Sequence, residues 1–185
     1  MKLILEKLFV GCIVIAAFGL GFVSLAQAGT ASSIDAGVEL SLERLYEEVA
    51  GSKVLLKDAK GVLVFPSVLK AGIGIGAEYG EGALLIKGKN EGYYSTAAAS
   101  IGLQLGAQKK TVVVAFMDSK ALKNFRASSG WKAGVDASVA VVKVGAGGAV
   151  DTTQYDQPIL GFIIGQKGLM YNLTLEGSKF TKIVK

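Results

Sequence analysis

Between residues 70 and 82 the chain alternates with a period of two. Gly72, Gly74, Gly76, Gly80 and Gly82 fall on even positions, and Ile73, Ile75, Ala77 and Tyr79 on odd ones. Successive side chains of a strand point to opposite faces, so this stretch predicts a β-ribbon with one bare backbone face and one mostly apolar face. Glycine inside a strand loses packing and costs backbone entropy, so five in register imply close approach of another backbone, a sharply curved sheet or a ligand. The register recurs: Gly102, Gln104 and Gly106 alternate with Ile101, Leu103 and Leu105, Gly134, Asp136 and Ser138 with Val135, Ala137 and Val139, and Gly161 and Gly165 flank Ile163. Repetition along several strands favours the structural reading, a curled or barrel-like sheet whose tight bends need small residues. An outer-membrane barrel is the runner-up. It needs about ten residues of lipid-facing alternation per strand, which only 93–106 and 131–144 approach.

Upstream the period changes. Ile34, Val38, Leu42, Leu45 and Val49 recur at intervals of three and four from Ala31 onward, with Asp35, Glu39, Glu43, Glu47 and Glu48 largely off that stripe. This predicts an amphipathic helix with an acidic outer face, capped by Ser32 or Ser33 and stopped by Gly51. A second, shorter helix follows, with Ser52 as its cap. Lys53, Lys57 and Lys60 share its narrow basic face, while Leu55, Leu56 and Ala59 lie roughly opposite. Such a segment can lie on a membrane with lysines toward headgroups, or pack a core with its lysines in water.

After Gly61 strands are expected at 62–65, 71–77, 83–86, 93–105, 111–117, 131–144, 159–164, 169–175 and 180–184, with Pro66 and clusters of Gly, Lys and Asn as turn signals. One helix interrupts them. Asp118 or Ser119 caps it, Leu122 and Phe125 supply its apolar contacts, and Ser128-Ser129-Gly130 ends it. Mostly short connections favour antiparallel neighbours. The predicted fold class is α+β: a mainly antiparallel, strongly curved or barrel-like sheet, N-terminal amphipathic helices and one short internal helix.

Composition narrows the chemistry. Residues 1–28 read as a bacterial secretory signal: Lys2 and Lys7, an apolar run from Leu8 to Leu25, and a small-residue cleavage site at Ala26-Gln27-Ala28. An uncleaved anchor and a lipoprotein modified at Cys12 are the weaker alternatives. Residues 29–185 then form one domain, destined for the periplasm and peripheral to either membrane of the envelope. The single cysteine falls in the leader and histidine is absent, so the domain rests on packing. Ser-His and Cys-His catalysis and the usual zinc and redox sites are excluded with them. No cofactor or metal is expected.

The glycine block is not a dinucleotide fingerprint, because only Gly72-x-Gly74-x-x-Ala77 partly fits, and no Gly-Lys-Ser/Thr marks a P-loop. Carboxylate pairs remain on paper, Glu78 with Glu81 and Asp151 with Asp156. Glu78 and Glu81 fall on opposite faces of a regular ribbon and are read as solvated, so no enzyme activity is expected. Of 20 basic and 15 acidic residues, Lys2, Lys7 and Glu6 lie in the leader, leaving a surplus of four positive charges. That suits an anionic surface. Only Arg44 and Arg126 supply arginine, which is poor equipment for nucleic-acid readout.

Lys60-Gly-Val-Leu-Val-Phe-Pro66, Lys70-Ala-Gly-Ile-Gly-Ile-Gly76, Tyr79-Gly-Glu-Gly82, Ser100-Ile-Gly-Leu-Gln-Leu-Gly-Ala-Gln108 and Gly168 to Ser178 follow one another in an order that resembles the SYLF lipid-binding domain family, from about Leu42 to the end. The resemblance implies a non-enzymatic module that binds anionic lipids, phosphoinositides in eukaryotic members, and actin filaments in yeast relatives. It transfers membrane contact to Lys53, Lys57, Lys60 and Lys70, with shallow insertion by Leu55, Leu56 or Val68. Four lysines near an anionic surface contribute roughly 4 kcal/mol before screening. Homo-oligomerisation would add avidity. For a secreted bacterial chain the available anions are phosphatidylglycerol, cardiolipin or lipopolysaccharide. An envelope structural or protein-interaction module is the alternative.

Overall fold

A computed structural model describes residues 29–142, 156–167 and 175–185, with backbone alone at 73–74, 100–106 and 166–167. The expected leader, the strand expected at 169–175 except Leu175, and Asp151 lie outside the described residues.

Helix α1 (Ala31–Glu48) forms on the apolar stripe read from the sequence, and its Ile34, Val38 and Leu45 are buried. Its cap is Thr30, two positions before the nearer of the expected serines: Ser33 N–H donates to Thr30 Oγ1, and Ser32 and Ser33 already lie in the first turn. Helix α2 (Ser52–Asp58) starts at Gly51, whose φ of 86° only glycine adopts readily. Ser52 does not cap it. Its hydroxyl turns back to donate to the Leu45 carbonyl, which ties α2 to α1.

The centre of the fold is one long antiparallel ribbon, β1 (Gly61–Ile86) with β2 (Lys89–Phe116). Three expected strands merge into β1 and two into β2. Pro66 is therefore not a turn but sits in an irregularity of the ladder between Phe65 and Val68, where the missing N–H is tolerated. The ribbon bends back on itself at a second irregularity, between Ile73 and Ile75. Bare backbone makes the bend feasible. A methyl group on Gly72 would overlap the Gly76 backbone, one on Gly80 would stand 2.7 Å from the Ser67 carbonyl oxygen, and one on Gly82 would overlap the Val64 carbonyl. The two limbs of β1 thus meet backbone to backbone.

The other edge of β2 is shared. β5 (Ile159–Lys167) pairs with residues 109–116 and β6 (Lys179–Ile183) with 93–97, so the stretch around the bend has no third strand among the described residues. Helix α3 (Ser119–Ala127) has Asp118 as its cap, accepting from Ala121 N–H. Beyond it, over the described residues 131–142, the expected long strand at 131–144 gives only β3 (Trp131–Lys132) and β4 (Ala140–Val141), because Gly134 at φ 81° turns the chain. β4 pairs with β5 in parallel, the one parallel pair in an otherwise antiparallel sheet of the described residues. The result is the curled, half-barrel α+β architecture that the glycine register predicts.

Two cores hold it. Residues of α1 and α2 pack with Val64, Ala83, Val113, Leu160 and Phe162. The second core is aromatic: Phe125 lies 4.8 Å from Phe116 and 5.1 Å from Tyr94, and Phe180 stacks on Phe65 at 5.3 Å and on Trp131 at 5.6 Å, centroid to centroid.

Candidate basic groove and charged bend

Lys57 and Lys60 meet at an open groove of about 850 Å3 where the C-terminal end of α2, the end of β1 and one side of α3 converge. Lys87, Lys123 and Arg126 line it with them, and Asp58 is the one acidic residue in the lining. Each cation arrives by a different route. Lys60 lies beyond α2 rather than on it and donates to the Asp58 carbonyl. Lys87 forms the ribbon's two-residue turn with Gly88, at φ 51° and 76°, the mirror-image turn that matches strand twist. A lysine at positive φ is uncommon. Lys123 and Arg126 lie one turn apart on α3, and Ser119 opens that helix beside them. Among the described residues Lys57, Lys87 and Lys123 form no ion pair, whereas Arg126 is shared with Glu91 at 3.6 Å. With side chains this exposed, such a groove attracts phosphate or carboxylate by long-range field as well as by contact.

The remaining sites expected from the sequence separate. Lys53 is exposed, away from the groove, with its ammonium 5.8 Å from the Tyr46 ring centroid. Leu55 and Leu56 are buried against α1, and Val68 is buried in the aromatic core. These three do not reach the surface as inserting residues would, because Leu55 and Leu56 cover the ribbon and Val68, within β1, packs into the core. Lys70 is also a correction, being 3 % exposed within the bend. There its ammonium lies 3.2 Å from Glu78 Oε1, while Lys110 donates to Glu78 Oε2 at 2.8 Å. One carboxylate thus clasps two lysines across the fold of the ribbon.

Glu78 and Glu81 do lie on opposite faces, but neither is a freely solvated group. Glu81 accepts from Lys185, from Tyr79 Oη at 2.9 Å and from Gly29 N–H at 2.8 Å. Burial alone would raise its carboxyl pKa, yet these donors outweigh burial and hold it below the usual carboxylate range. Tyr79 moves the other way: burial, then the hydrogen bond to Glu81, pushes its phenol up. Among the described residues no cluster of carboxylates could hold a metal ion, and no helix is long and apolar enough to cross a membrane.

Sequence reasoning missed Lys87, Lys123 and Arg126. A signal for two of them exists, since Lys120, Lys123 and Arg126 recur every third residue along α3. Lys87 carries none, because only tertiary folding sets a hairpin turn beside two helices.

Residues 97–183 match the family model Ysc84, described as Las17-binding protein actin regulator. This stretch is similar to the SYLF domain family. No curated protein matches the sequence at a significant level. The SYLF match begins within β2 and takes in α3 and β3 to β6, so Ser119, Lys123 and Arg126 of the groove lie inside it. Lys57, Lys60 and Lys87 precede it, on elements that complete the same sheet and cores. The SYLF family is one of binding modules, whose members' binding is lipid- or actin-related at most.

Proposed function

We propose that this domain is a non-enzymatic module that attaches to anionic lipid surfaces through the groove between α2, α3 and the Lys87–Gly88 turn. The observation that supports this reading is the convergence of Lys57, Lys60, Lys87, Lys123 and Arg126 on one opening with Asp58 as the only lining carboxylate. Each such cation near an anionic leaflet contributes about 1 kcal/mol, reduced once charges lie beyond a screening length of about 8 Å at physiological salt. Attachment of that strength is reversible. For a chain with a leader of secretory type, the anions at hand are phosphatidylglycerol, cardiolipin or lipopolysaccharide on the periplasmic side of a bacterial envelope.

Sedimentation with vesicles tests the reading. The salt-sensitive part of the binding should rise with phosphatidylglycerol content, and the triple variant Lys57→Glu, Lys60→Glu, Lys123→Glu should lose that part. Indifference to phosphatidylglycerol, or an unchanged salt-sensitive part in the triple variant, would sink it.

A further inference from the structure

The bend of the ribbon has its polarity reversed. Its inner face carries Lys70, Glu78, Gln108 and Lys110, all largely buried. Its outer face carries Leu69, Ile75 and Tyr79, which are 50 %, 70 % and 41 % exposed. Cross-strand pairing widens this face with small apolar residues, since Ala107 stands opposite Ala71, Ala99 opposite Ala77 and Ala97 opposite Tyr79. Of these, Ala71, Ala77, Ala97, Ala99 and Ala107 show surface to the outside. An ordinary solvated ribbon places charge outside and apolar residues within. The opposite arrangement is that of strands whose outer surroundings are hydrocarbon.

We infer that the bend between residues 69–79 and 97–107 dips into the hydrocarbon boundary of a lipid bilayer. Its limits are marked. Lys109 stands opposite Leu69 on one limb, and Tyr79, with its hydroxyl tied to Glu81, closes the strip on the other. Tyrosine and lysine are the residues that sit at the headgroup level. The depth is shallow, because among the described residues 98–108 of β2 pair only with β1, and an open strand edge has N–H and C=O groups that a dry bilayer core would leave unsatisfied.

The basic groove lies at the far ends of the limbs, about 30 Å away at strand rise. The bend therefore works through other residues than the groove, although both readings take lipid as the partner. High salt separates them. In about 1 M salt the screening length falls to about 3 Å, which silences the groove and leaves apolar insertion intact.

The test uses vesicles of phosphatidylcholine with phosphatidylglycerol in about 1 M salt. An Ile75→Trp variant should bind, shift its emission to the blue and be quenched by lipids brominated near the headgroup end of the acyl chain, with buried Trp131 as the unshifted background. The double variant Leu69→Asp, Ile75→Asp should bind at least about tenfold more weakly while melting as the wild type does, since both positions are exposed. Vesicle binding without quenching at position 75, equal binding by the double variant, or no binding in high salt would each overturn the inference. So would a wild-type dimer that the double variant converts to monomer with lipid binding unchanged, which would assign the face to a second copy of the chain. Loss of low-salt binding in the Lys57, Lys60, Lys123 variant bears on the groove alone.

Discussion

At the Lys87–Gly88 end the ribbon rests on Phe65, Phe116, Phe125, Trp131 and Phe180, whereas at its bend the inner face meets Lys70, Glu78, Gln108 and Lys110. Both regions belong to the same two strands and share one hydrogen-bond ladder. They differ in what closes the gap between the limbs. The aromatic end is held by area removed from water, a term that grows with each ring and tolerates small shifts. The bend is held by backbone contact at Gly72, Gly80 and Gly82 and by one carboxylate shared between two lysines, and neither of these tolerates displacement. Robust packing at one end thus supports an exacting arrangement at the other.

Truncation at the aromatic end should have the largest effect. Phe125 touches Tyr94, Phe116, Trp131 and Phe180, so Phe125→Ala is expected to cost about 3–5 kcal/mol, read from denaturant melts. A loss under about 1 kcal/mol would mean that the cluster collapses into the space.

Removing the clasp comes next. Glu78→Gln leaves Lys70 and Lys110 facing each other without a counter-charge and should cost about 3 kcal/mol or more. Replacing all three residues by methionine should restore most of that loss, because apolar groups of similar volume often serve a buried position as well as ions do. If the triple replacement is no better than Glu78→Gln, the charges hold the bend by more than mutual compensation.

Gly82→Ala should cost about 1–3 kcal/mol by forcing the limbs apart. Gly177→Ala is the companion measurement, because that residue has open space around it and a φ of 80°. Its loss reports backbone conformation without any contact, so a Gly82→Ala cost no greater than that of Gly177→Ala would show that the limbs yield easily.

Acid should act more gently, through Glu81. Its folded carboxyl titrates below the ordinary value, so its contribution is complete above about pH 4.3 and is lost as pH falls through the depressed folded value. Glu81→Gln should flatten that part of the stability profile. An unchanged acid limb would place the linkage elsewhere. Smallest of all, Lys57→Glu with Lys123→Glu should change stability by no more than about 0.5 kcal/mol, and a melt that falls further would mean that the groove lysines are structural.

The period of hydrophobic positions was enough to read α1, α2 and α3, because each buries a stripe set by residues three and four apart. The curled sheet was legible from glycines at alternate positions for a similar reason: period two is a local property. Strand number was not. Pro66 looks like turn punctuation, and only the partner strand shows that it is an irregularity within one continuous strand. Lys53, Lys57, Lys60 and Lys70 share a charge in the sequence but not an environment. Lys57 and Lys60 reach the groove, Lys53 packs over Tyr46, and Lys70 is enclosed by a fold-back that no local pattern announces. Leu55 and Leu56 illustrate the same limit, since an apolar residue on an amphipathic segment is equally suited to membrane and core until the sheet it covers is known, and Val68 points inward only because the ribbon folds around it.

The glycine face also sets how this protein can vary. Where side chains fill a gap, loss of atoms is the hazard and gain can be absorbed by repacking. At Gly72, Gly80 and Gly82 there is nothing to lose, and the first carbon added meets peptide groups that cannot turn aside. Substitutions along this segment can therefore err in one direction only, so the spacing of the limbs is preserved by exclusion, whatever happens to the residues on the opposite face.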